Sequence, residues 1–324
     1  MSANRLTRRE FALHSGLAAA AAVAFTTPAT AEAGEFRLGI VGSDNSHAEA
    51  FASLANLESG KDGLRVPGLR VTHICGDDPA ITGQKAKDCQ IANIVEKHTD
   101  MIGQVDGILN VRRHGGRHLE DALPFLEAGV PVFIDKPLAC SVQDAETLIN
   151  AAQKSGVGFT SFSTLPFEST YQAFLAEVKE KAGAIAAGSV SGPCELNSEY
   201  GGIYFYGIHS VDLLLETFGL ACESVSAAEK NGHVHATCLF KNGPLVSLQL
   251  MHDTAGGWHV NVFGEKAHLQ HKAVVKTHYF DGLTIIKETL TTGKWPRTPE
   301  ALLRPIQVLD ALDRSLKSGG AAQV

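Results

Sequence analysis

The stretch Glu35–Phe51, EFRLGIVGSDNSHAEAF, decides how the rest of the chain is read. FRLGIV is a short apolar run with β-branched residues that stops at Gly42. From His47 onward, HAEAFASLANLES sets apolar side chains at helical spacing. Strand, glycine turn and helix in this order are the layout of a phosphate-cradling turn, whose usual form is Gly-x-Gly-x-x-Gly. Here the turn reads Gly42-Ser43-Asp44-Asn45-Ser46-His47, and only the first glycine is kept.

The segments that follow keep the same rhythm. GLRVTHICGDDP (68–79), VDGILNV (105–111), VPVFIDKP (130–137) and VGFTSF (157–162) read as strands. RHLEDALPFLEAG (117–129) and SVQDAETLINAAQKSG (141–156) read as helices, the first closed by Gly129, the second capped by Ser141 and ended at Gly156. Strands alternating with helices predict a doubly wound parallel sheet of the Rossmann type over residues 34–158.

Beyond about residue 160 the pattern changes. A helix (167–183), a long strand-like segment (184–196) and a second helix (206–219) precede successive strands within 221–230, 232–243, 244–252 and 257–273. Asn231-Gly232 and Asn242-Gly243 are hairpin signals. Residues 159–324 are therefore expected to form an α+β domain with a large, mostly antiparallel open sheet, closed by a helix over roughly 298–318.

The first 33 residues differ in kind. Thr7-Arg8-Arg9-Glu10-Phe11-Ala12-Leu13 resembles a twin-arginine export motif, an apolar run follows from Gly16 to Phe25, and Ala29-Thr30-Ala31 or Ala31-Glu32-Ala33 suits cleavage. The expectation is an exported, periplasmic protein delivered by the twin-arginine machinery. The apolar run falls short of the ~20 residues a helix needs to span a bilayer. A net charge of −7 with scattered Lys and Arg gives no basis for a nucleic-acid partner. The six cysteines show no CxxC or metal spacing and are expected to be buried free thiols.

Three landmarks in order carry a family resemblance: the strand-to-turn start at Gly39–Gly42, the segment 105–139 with Asp135-Lys136-Pro137, and Gly207-x-His209-x-x-Asp212. Together they resemble the Gfo/Idh/MocA oxidoreductases, and the match spans nearly all of the chain after residue 33. The turn is similar to that of a branch in which it reads Gly-x-Asp-x-Ser-His. The resemblance implies NAD or NADP as cofactor, a carbohydrate or polyol substrate, and a cofactor held tightly if the enzyme is exported. It also implies that open sheets can pair into a homo-oligomer. Lys136 would lie beside the nicotinamide and stabilise charge on the substrate oxygen, and His209 would transfer the proton. Asp212 would orient the His209 ring or support its helix. Residues 42–47 (Gly42, Ser43, Asp44, Asn45, Ser46, His47) would face the pyrophosphate, with Asp77, Arg112, Asp135 and Lys136 completing the cofactor side.

The departures open alternatives. Asp44 places a carboxylate where the second glycine admits the pyrophosphate. Gly76 stands where an acid should grip the adenosine ribose, with Asp77 just after it. Phe205 replaces the carboxylate that in related enzymes precedes the histidine by four residues. Asp44, His47, His114, His118, Asp135 and His209 would offer ligands to Zn²⁺ or Mn²⁺ in a non-redox isomerase or lyase. A non-catalytic sugar-binding protein would also reuse the cleft.

Overall fold

The computed structural model describes residues 34–324; the export signal expected over residues 1–33 lies outside the described residues. Six strands form the first sheet: β1 (Phe36–Val41), β2 (Leu69–Cys75), β3 (Asn93–Ile94), β4 (Gly107–Asn110), β5 (Val132–Ile134) and β6 (Phe159–Ser161). All pairs are parallel, in the order β3-β2-β1-β4-β5-β6. The order reverses between β1 and β4, and such a switch point leaves a crevice at the carboxyl ends of the strands. Between the strands run α1 (Ser46–Asn56), α2 (Pro79–Asp88), α3 (His118–Glu127) and α4 (Val142–Ser155). The central strands are largely apolar because helices cover both faces, and Leu38, Ile40, Ile108, Leu109, Phe133 and Ile134 are fully buried.

The second half holds α5 (Ser169–Lys181), β7 (Ile185–Pro193), α6 (Ile203–Phe218), β8 (Cys222–Lys230), β9 (His233–Phe240), β10 (Leu245–Met251), β11 (His259–Gly264), β12 (His268–Lys272), α7 (His278–Thr292), α8 (Pro299–Ser318) and β13 (Ala322–Gln323). Seven strands order as β12-β11-β7-β10-β9-β8-β13, antiparallel except for β7 with β10. Asn231 and Gly232 both take positive φ (56° and 81°) in the two-residue turn from β8 to β9, as the Asn-Gly signal required. In β9 and β10 every second residue is buried beneath α6 and α8, while the other face stays open, with Leu239, Leu245 and Phe263 exposed.

Two features depart from the sequence reading. The parallel sheet continues through β6, whose Phe159 pairs with Val132, so it runs past the boundary expected at 158. Helix α7 lies in a stretch to which the sequence reading gave no element. It packs on the first sheet, burying Leu283, Ile286 and Leu290 among Phe51, Phe133 and Phe162. Its threonines and β-branched residues are weak helix formers, so its signal was the 283/286/290 spacing alone.

Gly42 shows how tightly the switch point is built. It sits at φ +96°, and a Cβ there would lie 2.6 Å from the Arg112 Cα. Replacing Gly42 by Ala is expected to lower unfolding stability by ~2 kcal/mol or more, through left-handed strain plus a backbone clash; a denaturant midpoint within error of the parent would refute it.

Candidate active site

The turn after β1 is rebuilt around side chains rather than glycines. Ser43 is buried and its Oγ lies 2.8 Å from Thr82 Oγ1. A Cβ on residue 76 would come within 1.9 Å of that Ser43 Oγ, which explains why Gly76 ends the second strand without a side chain. Asn45 caps α1, its Oδ1 accepting from the N–H groups of His47 (2.8 Å) and Ala48 (3.2 Å), while its amide donates to the Val111 carbonyl. Asp44 and Ser46 are exposed. The Asn45 and Ser46 N–H groups take no acceptor among the described residues and stand free at the positive end of α1.

Asp77 and Arg112 are placed differently from the simple ribose-and-phosphate roles expected of them. Arg112 is buried, bonded through Nε to Asp121, and donates to Asp77 Oδ2 at 2.7 Å. Arg117 donates to the same Asp77 oxygen at 2.5 Å. Burial pushes the Asp77 carboxyl up, but the two guanidinium groups outweigh it and hold it below the usual range. Asp78 caps α2 through the N–H groups of Ala80 and Ile81. The carboxylate nearest the expected ribose position is thus already shared by two arginines.

Asp135 and Lys136 follow β5 and face the mouth of the crevice. Asp135 is buried, and His47 Nδ1 lies 2.6 Å from its Oδ2, an ion-pair distance without in-line hydrogen-bond geometry. Burial raises the Asp135 carboxyl, but His47 and Lys136 outweigh it, so the group stays ionised and lies below the normal range. Lys136 is 6 % exposed; its Nζ lies 3.4 Å from the Phe205 carbonyl and 4.8 Å from the Phe205 ring centre. Burial, aided by Arg113, lowers the Lys136 ammonium against the opposing pull of Asp135.

His209 faces this pair from α6. Its Nδ1 lies 2.7 Å from Ser163 Oγ, and its ring sits edge-on to Trp258 at 5.1 Å. Burial, then Lys136, His47 and His278, push the imidazole well below its ordinary value, so it is neutral near pH 7. Asp212 does not touch the His209 ring. It accepts from the Ser163 N–H (2.7 Å) and from Arg297 (3.1 Å), so of the two roles expected it takes the supporting one. Ser163, just past β6, is the side chain that meets the His209 ring; Phe205, one turn earlier on α6, carries no carboxylate.

His47, Lys136, Tyr206, His209, Trp258 and His278 wall a cavity of about 490 Å³. A narrower crevice of about 60 Å³ joins it on the side of Asn45, Ser46 and Arg113. The sequence reading missed Ser163, Tyr206, Trp258, His278 and Tyr279; the last two arrive on α7, the helix it did not foresee. The metal set it considered is not assembled. The His118 ring is clamped between the Pro137 and Arg112 carbonyls (2.8 and 2.9 Å), and among the described residues no three His, Cys, Asp or Glu side chains converge as ligands.

The described residues combine a Rossmann-like parallel sheet, with a cleft at its carboxyl edge, and a second, mostly antiparallel sheet, the architecture of many nicotinamide-dependent oxidoreductases. Residues 36–162 match the model of the Gfo/Idh/MocA oxidoreductase family, described as an NAD-binding Rossmann fold. No curated protein matches the chain by sequence. Among solved structures, a probable dehydrogenase from Thermotoga maritima superposes with a TM-score of 0.77 at 16% identity, covering 89% of this chain and 98% of its own. Myo-inositol 2-dehydrogenase from Lactobacillus plantarum gives 0.77 at 15% identity, covering 89% and 99%. Scyllo-inositol dehydrogenase from Lactobacillus casei, solved with NAD(H) and scyllo-inositol, gives 0.76 at 16% identity, covering 89% and 98%. At these identities the likeness is one of fold.

The buried histidines carry a pH prediction. Burial, with His47 and Lys61, lowers His278 to about 4 from 6.5. Between those values the unfolded chain binds the extra proton, so stability is expected to fall as pH drops from 6.5 towards 4. His278→Gln should flatten part of that slope in denaturant midpoints measured across the range. An unchanged slope would mean that His278 contributes nothing.

Proposed function

We propose that the protein is an NAD(P)-dependent oxidoreductase acting on a CH–OH group, or the corresponding carbonyl, of a carbohydrate or polyol. The observation that carries this reading is the meeting of Lys136, His47 and His209 around one cavity, beside the turn that opens α1. Support for the fit of a dinucleotide there comes from the Asn45 and Ser46 N–H groups, which stand free at the start of α1. Those groups would hold the pyrophosphate, with Arg113 close by. The Asp77–Arg112–Arg117 cluster would meet the adenosine end.

When bound, a nicotinamide supplies two-electron redox chemistry; the chain's own residues do the rest. Lys136, dehydrated and held against the Phe205 carbonyl, stabilises negative charge on the substrate oxygen. A carboxylate facing Nδ1 favours the His47 tautomer with its proton on that nitrogen and leaves Nε2 as a base. His209, kept neutral and positioned by Ser163, handles the same proton from the opposite wall. Tyr206 and Trp258, parallel within 5°, offer flat apolar faces to a sugar ring while the cleft excludes water.

Lys136→Ala is expected to lower kcat at least ~100-fold without unfolding the protein. Near-normal turnover in that variant would remove Lys136 from the chemistry. Asp44→Gly is expected to tighten NAD⁺ or NADP⁺ about fivefold by removing a charge beside the pyrophosphate. If neither cofactor binds either protein, the reading passes to a non-redox reaction in the same cleft, with chelator sensitivity as the sign of a metal, or to sugar binding without turnover.

Export by the twin-arginine route, with the cofactor loaded beforehand, is part of the same proposal and rests on Arg8 and Arg9. Changing both to Lys should leave uncleaved precursor in the cytoplasm, and normal periplasmic delivery of that variant would refute it.

A further inference from the structure

We propose that the cleft selects an anionic substrate, a sugar or polyol carrying a carboxylate or phosphate, with the charged group seated at its Lys61–Lys276–His278 end. The inference rests on the reading of this cavity as the substrate site.

Three lysines line the cavity, Lys61, Lys136 and Lys276, against a single lining carboxylate, Asp62. The lysine ion pairs formed among the described residues lie elsewhere, at Lys85, Lys181 and Lys317. Asp62 offsets part of this charge, while two other nearby acids are already committed. Asp135 is buried against His47, and Glu168 caps α5 through the N–H groups of Thr170 and Tyr171. His278, whose Nδ1 is buried without a hydrogen-bond partner, also lines this cavity.

The charge is also one-sided in space. The dinucleotide turn opens into the narrower crevice of Asn45, Ser46 and Arg113, whereas Lys61 and Lys276 border only the larger cavity. The two share His47, Lys136 and Tyr206, where the reacting carbon would lie. An anion at the far end would therefore be separate from the cofactor's phosphates. A carboxylate or phosphate there would pair with the Lys61 and Lys276 ammonium groups, an attraction that a neutral polyol lacks.

The test is calorimetric titration of the purified protein, with and without NAD⁺, using matched probes. These are gluconate with sorbitol, galactonate with galactitol, glucuronate with glucose, glucose 6-phosphate with glucose, and inorganic phosphate alone. At least one charged member should bind about tenfold tighter than its neutral partner, and more weakly as salt rises. That preference should collapse in the Lys61→Gln/Lys276→Gln double variant. Both side chains are exposed, so the fold should survive, and a thermal melt checks it. In the bound state the His278 imidazole should titrate at higher pH by NMR. Preference among the carboxylates or the phosphates tells which anion the site takes. Equal affinity for a neutral partner, no binding by any charged probe, or an unchanged preference in the double variant would each overturn the proposal. The oxidoreductase reading fails on a different result, the absence of dinucleotide binding, so the two failures are distinguishable.

Discussion

A buried carboxylate joins the two halves of this protein. Asp212, on α6, holds the Ser163 N–H just beyond the last strand of the parallel sheet and the Arg297 guanidinium just before α8. Burial raises its carboxyl, and Arg297 and the Ser163 N–H oppose that rise. Arg297 is equally enclosed and reaches on to Glu216 at 2.6 Å. Such a pair is weak evidence for net stability, because desolvation offsets most of the attraction, but removing one partner strands the other at a cost of ~3–5 kcal/mol. Its consequence here is geometric. One helical turn before Asp212 stands His209, and the Ser163 whose backbone Asp212 fixes is the residue whose hydroxyl meets the His209 ring. The same bonds that lock α6 to the first sheet therefore aim the imidazole at Lys136.

The dinucleotide turn answers to a second constraint, the packing of strand ends at the switch point. Gly42 must approach the Arg112 backbone, so it survives as glycine. The other two glycine positions are occupied by Asp44, which points to solvent, and His47, whose ring turns inward to Asp135. His47 Nδ1 and the adjacent Lys136 give the buried Asp135 two basic neighbours. The rebuilt turn thus serves the chemistry of the neighbouring strand as well as any anion at the helix start.

Much of this was legible in the sequence, for identifiable reasons. Alternating strands and helices, the Asn-Gly hairpins and the Asp-Lys-Pro and Gly-x-His-x-x-Asp segments are local patterns, and local patterns gave the two sheets and placed Lys136 opposite His209. Pairings between distant segments were not legible. Ser163 and His209 are 46 residues apart, and His47 and Asp135 meet only because β1 and β5 end at one edge of the sheet. The Asp77–Arg112–Asp121 cluster was hidden for the same reason: a lone Asp after a second strand reads as a ribose ligand until its arginines are in place. Helix α7 was missed because its propensities are weak, and with it went two walls of the cleft.

The cleft's electrostatics follow from these packings jointly. Six basic side chains, His47, Lys61, Lys136, His209, Lys276 and His278, line the cavity, and among the described residues only His47 of these has a carboxylate at ion-pair distance. Repulsion and desolvation then act in the same direction on His209 and His278, which are held neutral, while Asp135 stays ionised behind His47. Neutral imidazoles can accept a proton, and a partly dehydrated ammonium can lend one or stabilise an oxyanion. With the imidazoles neutral, the positive charge of the cleft rests on its lysines, and the two histidines stay available to accept a hydrogen bond. A second carboxylate at Phe205 would have raised His209 and made it a charged donor instead. With an aromatic side chain at that position, the proton-accepting form of His209 is the one favoured in the closed cleft.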